Sequence, residues 1–161
     1  MSSELDQCNY KNCVPYVPKI EMAKIVKCYD GDTVTIATIM DGVNVRFNVR
    51  MLGYDCAEIR SRNEQEKQVA KWAKEYITDL IFDKIVNISK NEGYDKYGRL
   101  LLELKIGEIN VNEIMLEKWG VKYDMYDKKQ ELSLSGTSNY DKKWANWFDI
   151  EEIRNDFNIN L

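Results

Sequence analysis

Between Val43 and Met51 the chain alternates without a break: Val43, Val45, Phe47, Val49 and Met51 are apolar, while Asn44, Arg46, Asn48 and Arg50 between them are polar. A period of two fits a pleated strand with one face in a core and the other in water, and it assigns Arg50 to the wet face. Asp41-Gly42, just before it, supplies the two residues that a type I′ turn needs, so the β-branched run Thr33–Met40 is expected as its hairpin partner. A chain carrying this hairpin must be organised around a sheet.

The flanking segments extend that sheet. Met22–Tyr29 is rich in Ile and Val and is predicted to be a strand closed by the turn Asp30-Gly31-Asp32. After Glu58, Ser61-x-x-Glu64 has the spacing of a capping box, and Val69, Trp72, Ala73, Tyr76, Ile77 and Leu80 recur at helical intervals. They predict an amphipathic helix ending near Phe82, with Trp72 and Tyr76 as core anchors. Lys84–Lys90 reads as a strand and Asn91–Gly98 as a polar turn. Leu100, Leu102, Leu104 and Ile106 share one face of a further strand, which leaves Arg99 on the opposite side with Glu103 and Lys105. Val111–Trp119 is expected to form a short helix with Gly120 at its C′ position. Residues 1–20, with Pro15 and Pro18, read as an extended N-terminal arm, and 127–139 as a polar flexible segment. Trp144, Trp147, Phe148, Ile153 and Phe157 suggest a terminal helix docked on the rest. The organisation is thus an arm (1–20), a folded domain (21–126) and a C-terminal extension (127–161). The fold class is mostly β with helices (α+β): a five-stranded OB-fold Greek-key barrel with two or three packed helices, an architecture that often binds oligonucleotides.

Composition narrows the chemistry. A length of 161 residues, 44% hydrophobic and 31% charged, suits one globular domain with a real core. No apolar run reaches the length of a membrane span, and the first residues lack the basic and apolar regions of a signal peptide, so a soluble intracellular protein is expected. There is no histidine, and Cys8, Cys13, Cys28 and Cys56 form no Cys-x-x-Cys pair, which argues against zinc, haem and Cys/His nucleophile chemistry. Reduced thiols are expected. Any metal must take oxygen ligands, and calcium or magnesium is the default. A net charge of -4 speaks against nucleic-acid binding by overall charge, so such a role requires a local site.

Arg50 is followed by Asp55 and Glu58 within one strand exit. Alone, such residues are usually solvated surface. Together with Asp30-Gly31-Asp32-Thr33 and Asp95-Lys96-Tyr97-Gly98-Arg99, however, Arg50-x-x-x-x-Asp55-x-x-Glu58 resembles the three signature segments of the staphylococcal nuclease-like (thermonuclease) family, over roughly Met22 to Tyr126. The resemblance implies a calcium-dependent endonuclease that hydrolyses phosphodiester bonds of DNA and RNA. Matched position by position, it gives Asp32, Asp55 and the backbone carbonyl of Cys56 as ligands of one Ca2+. Arg50 and Arg99 match the catalytic arginines and Glu58 the catalytic glutamate, and Lys96, Tyr97, Tyr123 and Tyr126 fall near substrate-binding positions. The chain departs from the family where Cys56-Ala57 replaces the common Thr-Pro, and after Asp127, where the usual final-helix pattern is missing.

Elementary chemistry gives these residues a coherent use. Two carboxylates about 4 Å apart repel by roughly 1 to 4 kcal/mol at effective dielectrics of 80 to 20, and a divalent cation removes that cost. Guanidinium forks suit the non-bridging oxygens on which charge builds during attack at phosphorus. Glu58 would deprotonate or orient the water. Another divalent ion could replace calcium. The acidic balance suggests a preference for single-stranded substrate, and a monomer is expected. The alternative readings are a catalytically silent OB-fold module that binds nucleic acid, and a protein-interaction domain using the tail aromatics.

Overall fold

The computed structural model describes residues 2–122. Over these residues the elements are α1 (Ser2–Leu5), β1 (Met22–Cys28), β2 (Thr33–Met40), β3 (Val43–Met51), β4 (Tyr54–Asp55), α2 (Glu64–Ile81), β5 (Ile85–Tyr94), β6 (Leu100–Ile106), β7 (Ile109–Asn110), α3 (Val111–Lys118) and β8 (Val121–Lys122). The hairpin forms as the alternation requires, with β2 and β3 paired in unbroken register from Thr33↔Arg50 to Met40↔Val43. Asp41 (φ 51°) and Gly42 (φ 76°) supply its two left-handed residues. β1 lies between β2 and β5, β5 pairs with β6, and β6 returns to β3 as a parallel neighbour through Val49↔Leu100, Arg50↔Leu101 and Met51↔Leu102. That last pairing closes a five-stranded mixed barrel. The protein is mostly β with helices, consistent with an OB-fold.

Inside, Ile25, Val34, Ile36, Val49, Met51, Val86, Leu100, Leu102 and Leu104 are almost fully buried. Each such side chain contributes about 1.5 to 3 kcal/mol of hydrophobic stabilisation before the entropy of ordering is set against it. β1 stays in phase with this core by a bulge: Ile25 pairs with Ile36 and Lys27 with Thr35, leaving Val26 as the extra residue. Hence Ala23, Ile25 and Cys28 all face inward. The helix α2 closes the barrel with Val69, Ala70, Trp72, Ala73, Ile77 and Ile81, while Lys84 Nζ donates to the carbonyls of Asp79 and Leu80 at its end. Tyr76 packs at a tilt on Trp119, with ring centroids 6.0 Å apart. Asn112, buried at the start of α3, accepts from Leu104 N and donates to the carbonyls of Leu52 and Leu102. One amide thereby ties α3 to β6 and to the exit of β3.

Local expectations differ from the structure at several points. The helix starts at Glu64 with Asn63 as its N-cap, whose side chain accepts from the N–H groups of Gln65 and Glu66, so the cap lies two residues beyond Ser61. β5 continues to Tyr94 through an irregular register with β6, which shortens the expected polar turn to the residues around Asp95–Gly98. The apolar face of β3 is core only in its second half, since Val43 at the hairpin tip is 58% exposed. Leu101, assigned by parity to the outside, is buried beside Arg50 across the parallel pairing. The arm begins with the short helix α1, and its end is anchored: Pro18 is buried and its carbonyl accepts from Asn91 Nδ2 at 2.9 Å. No helix among the described residues is long and apolar enough to cross a membrane. The terminal helix expected around Trp144–Phe157 lies outside the described residues.

Candidate active site

The site is built at the mouth of the barrel, where the β1–β2 turn meets the exit of β3. Parity puts Arg50 on the outer face of β3, but that face is covered here, and the residue is only 9% exposed. The solvent-facing assignment is therefore corrected: the side chain is enclosed by acids brought from two neighbouring turns. Arg50 Nη1 lies 3.2 Å from Asp32 Oδ2 and donates to the carbonyl of Tyr54 at 3.0 Å, while Nη2 pairs with Asp55 Oδ1. A single guanidinium thus bridges the two carboxylates expected to hold a cation. An isolated charge at this depth would cost several kcal/mol, so each member of the trio depends on the others.

Local structure fixes each carboxylate. Asp32 sits in the turn closed by Tyr29 N to Thr33 O (2.9 Å), and its own carbonyl receives Met51 N at 2.9 Å, which locks the turn against β3. Its side chain accepts from Cys56 N at 2.8 Å and from Thr33 Oγ1 at 3.0 Å. Asp55 is held by the short β4–β8 ladder, opposite Val121. Tyr54, fully buried, donates its hydroxyl to the carbonyl of Gly31 at 2.7 Å, joining the two turns. Burial first, and then the charge of the nearby Asp32, keeps that phenol well above its ordinary range. Gly31 is required by the close approach: a Cβ there would lie 2.7 Å from Cys56 Sγ and 3.0 Å from Ala73 Cβ. Cys56 itself is buried, and its peptide N–H is committed to Asp32.

Asp30, quoted in the sequence motif without a role, proves to be part of the site. It is 5% exposed, and its Oδ1 accepts from Asp32 N at 3.1 Å. Burial and then the adjacent Asp32 raise its pKa from 3.8 to about 8, so it carries a proton at neutral pH. Two acids flanking a turn glycine were a signal in the sequence, but their burial was not.

Glu58 lies at the rim, exposed as a residue. Partial burial of its carboxyl and the charge of Asp32 raise its pKa, against the opposing pull of Arg50 and Arg99. Both arginines and the glutamate therefore act within one electrostatic neighbourhood. Arg99 is oriented by Asp95, which accepts from Arg99 Nε at 2.7 Å and from the N–H groups of Arg99 and Tyr97 at 2.9 and 2.8 Å. Burial pushes Asp95 upward, but these hydrogen bonds outweigh it and hold the carboxyl below its usual range. Tyr97 is 71% exposed, with Lys96 Nζ 5.0 Å and Arg99 Cζ 5.3 Å from its ring centroid. An exposed ring with two cations beside it can receive a base and a phosphate together. Tyr123 and Tyr126 lie outside the described residues.

For a metal, the relevant question is whether the oxygen donors converge. Among the described residues no three His, Cys, Asp or Glu side chains form a metal-holding group. The implied ligand set has only two carboxylates plus a carbonyl, and Asp32 Oδ2 and Asp55 Oδ1 already point at one guanidinium. On top of burial, Asp32 and Glu58 add to the rise in the pKa of Asp30, and Asp32 adds to that of Glu58. By donor chemistry alone, a set made only of oxygens is of the type that hard divalent cations take.

A closed barrel of this topology, with Asp32, Asp55 and the buried Arg50 joined at one end, is consistent with an OB-type domain. The family model described as staphylococcal nuclease homologue matches residues 48–146, more than half of the chain, and the protein belongs to that family. The matched span includes Arg50, Asp55, Glu58 and Arg99, whereas Asp32 precedes it and joins the group through the contacts above. Comparison with curated proteins gives no match.

Proposed function

We propose that this protein is a calcium-dependent endonuclease hydrolysing phosphodiester bonds of DNA and RNA by in-line attack of water. The observation that carries the reading is the bridging of Asp32 and Asp55 by the buried Arg50. Asp32, Asp55 and the Cys56 carbonyl would hold the ion. When bound, it supplies polarisation of a phosphoryl oxygen and orientation of a water.

The remaining work belongs to the side chains. Glu58 takes or orients the proton of the attacking water, and its raised pKa brings it nearer to a useful base at neutral pH. Arg50 and Arg99 donate to the non-bridging oxygens as charge develops there, each worth on the order of 10² to 10³ in rate. Their delocalised forks stay charged throughout and match two oxygens at once. Lys96 and Tyr97 receive the neighbouring phosphate and base. Tyr123 and Tyr126 are assigned to the same strand of substrate by their match to the family motif alone. With a net charge of -4, the chain draws little on long-range attraction, which favours single-stranded substrate whose bases can stack.

Incubation of the full chain with a labelled single-stranded oligonucleotide, with calcium or with EDTA, tests the proposal. Calcium-dependent shortening, lost in Arg50→Ala and Glu58→Ala, is the expected result. Retarded but uncut oligonucleotide over a broad pH range would establish a silent binding module instead.

A further inference from the structure

The N-terminus of α2 is capped in an unusual way, and the departure points at Glu58. Asn63 is the N-cap and Glu66 stands three residues on, the position from which a glutamate ordinarily reaches back to the N–H of the cap residue. Here that N–H is taken by Ser61 Oγ at 3.1 Å. The Glu66 carboxylate reaches further: Oε2 accepts the Ser61 hydroxyl at 2.5 Å, and Oε1 accepts the peptide N–H of Glu58 at 3.2 Å. Ser61 N in turn donates to the Glu58 carbonyl at 3.1 Å. Both peptide groups of Glu58 are thus fastened, one directly to Glu66 and the other through Ser61.

We infer that Glu66 is a positioning residue, whose carboxylate fixes the backbone of Glu58 to the first turn of α2 and so sets where the Glu58 side chain stands. The inference rests on the nuclease reading above and deepens it. The helix is the rigid partner, because its buried face of Val69, Ala70 and Ala73 is packed into the barrel. The segment from Glu58 to Asn63 has no strand or helix of its own, so its course depends on these side-chain contacts. Glu66 acts through Glu58, by accepting its peptide N–H and, to a smaller extent, by adding its charge to the causes that raise the Glu58 pKa. A displacement of about 1 Å in a reacting group can cost on the order of 10²-fold in rate, so losing the tether should be visible in turnover.

The test compares the full-length wild type with Glu66→Ala, Glu66→Gln and Ser61→Ala in two readouts. In Glu66→Gln the amide oxygen can still accept from Glu58 N, and the amide N–H can donate to Ser61 Oγ. Expected are a fall in kcat of about tenfold or more for Glu66→Ala with KM changed less than about twofold, near-wild-type kcat for Glu66→Gln, and an intermediate value for Ser61→Ala. Hydrogen exchange at the Glu58 amide should quicken about tenfold in Glu66→Ala while the amides in the middle of α2 keep their protection. Should Glu66→Ala fail to fold, the contrast between Glu66→Gln and Ser61→Ala decides the matter. Unchanged kcat together with unchanged Glu58 exchange, or equal losses for Gln and Ala, overturns the inference. If the wild type cuts nothing, the nuclease reading falls with the catalytic half of this inference, and the exchange data still decide whether Glu66 holds the loop.

Discussion

Replacing Asp30 by Asn isolates the energetic cost of packing acids at the mouth of the barrel. Folded, Asp30 keeps its proton up to about pH 8, whereas the unfolded chain releases it near 3.8. The folded pKa is the raised one, so the sign is destabilising as pH rises. Below about pH 4 both states hold the proton and nothing is lost; between about pH 4 and 8 the unfolded state gains by ionising; above that the cost is constant. At pH 7 a gap of about three units at about 1.4 kcal/mol each gives about 4 kcal/mol. Coupling to the neighbouring Asp32 leaves roughly 2 to 4 kcal/mol to Asp30 itself. Asn cannot ionise, yet its amide oxygen can still accept from Asp32 N as Asp30 Oδ1 does at 3.1 Å. Urea unfolding of wild type and Asp30→Asn in EDTA should therefore give nearly equal stabilities at about pH 4, with the variant ahead by roughly 2 to 4 kcal/mol at about pH 8. An advantage independent of pH, or a less stable variant at the higher pH, refutes the argument.

Asn112→Ala strands Leu104 N and removes a donor from the carbonyls of Leu52 and Leu102, so a loss of about 2 to 4 kcal/mol is expected in urea unfolding; a loss below about 1 kcal/mol would show that the amide is dispensable. Gly31→Ala forces a methyl against Cys56 Sγ, and about 1 to 3 kcal/mol should be lost, part of it recovered in the double variant with Cys56→Ala; simple additivity of the two changes would remove the steric explanation. Tyr97→Ala, at an exposed ring, should leave thermal stability unchanged and raise KM for single-stranded substrate several-fold with kcat within about twofold, as read from initial rates; an unchanged KM would take Tyr97 out of the substrate path.

The amino-acid order by itself determined the barrel. Period-two alternation over Val43–Met51, the Asp41-Gly42 turn and the helical spacing of Val69, Trp72, Ala73 and Ile77 are local signals, and each was realised, although the apolar face of β3 reaches the core only in its second half. The identities of the acids and arginines were also legible, since their motifs lie on short stretches of chain. Tertiary structure alone decided how those groups stand. Parity sends Arg50 outward, and only the folding-over of the β1–β2 and β4 turns encloses it with Asp32 and Asp55. The proton on Asp30 and the reach of Glu66 to Glu58 arise from burial and from contacts between segments that the sequence pattern does not specify. Periodicity reports which way a side chain leaves its own strand or helix; charge state and partner depend on what the rest of the chain lays across it.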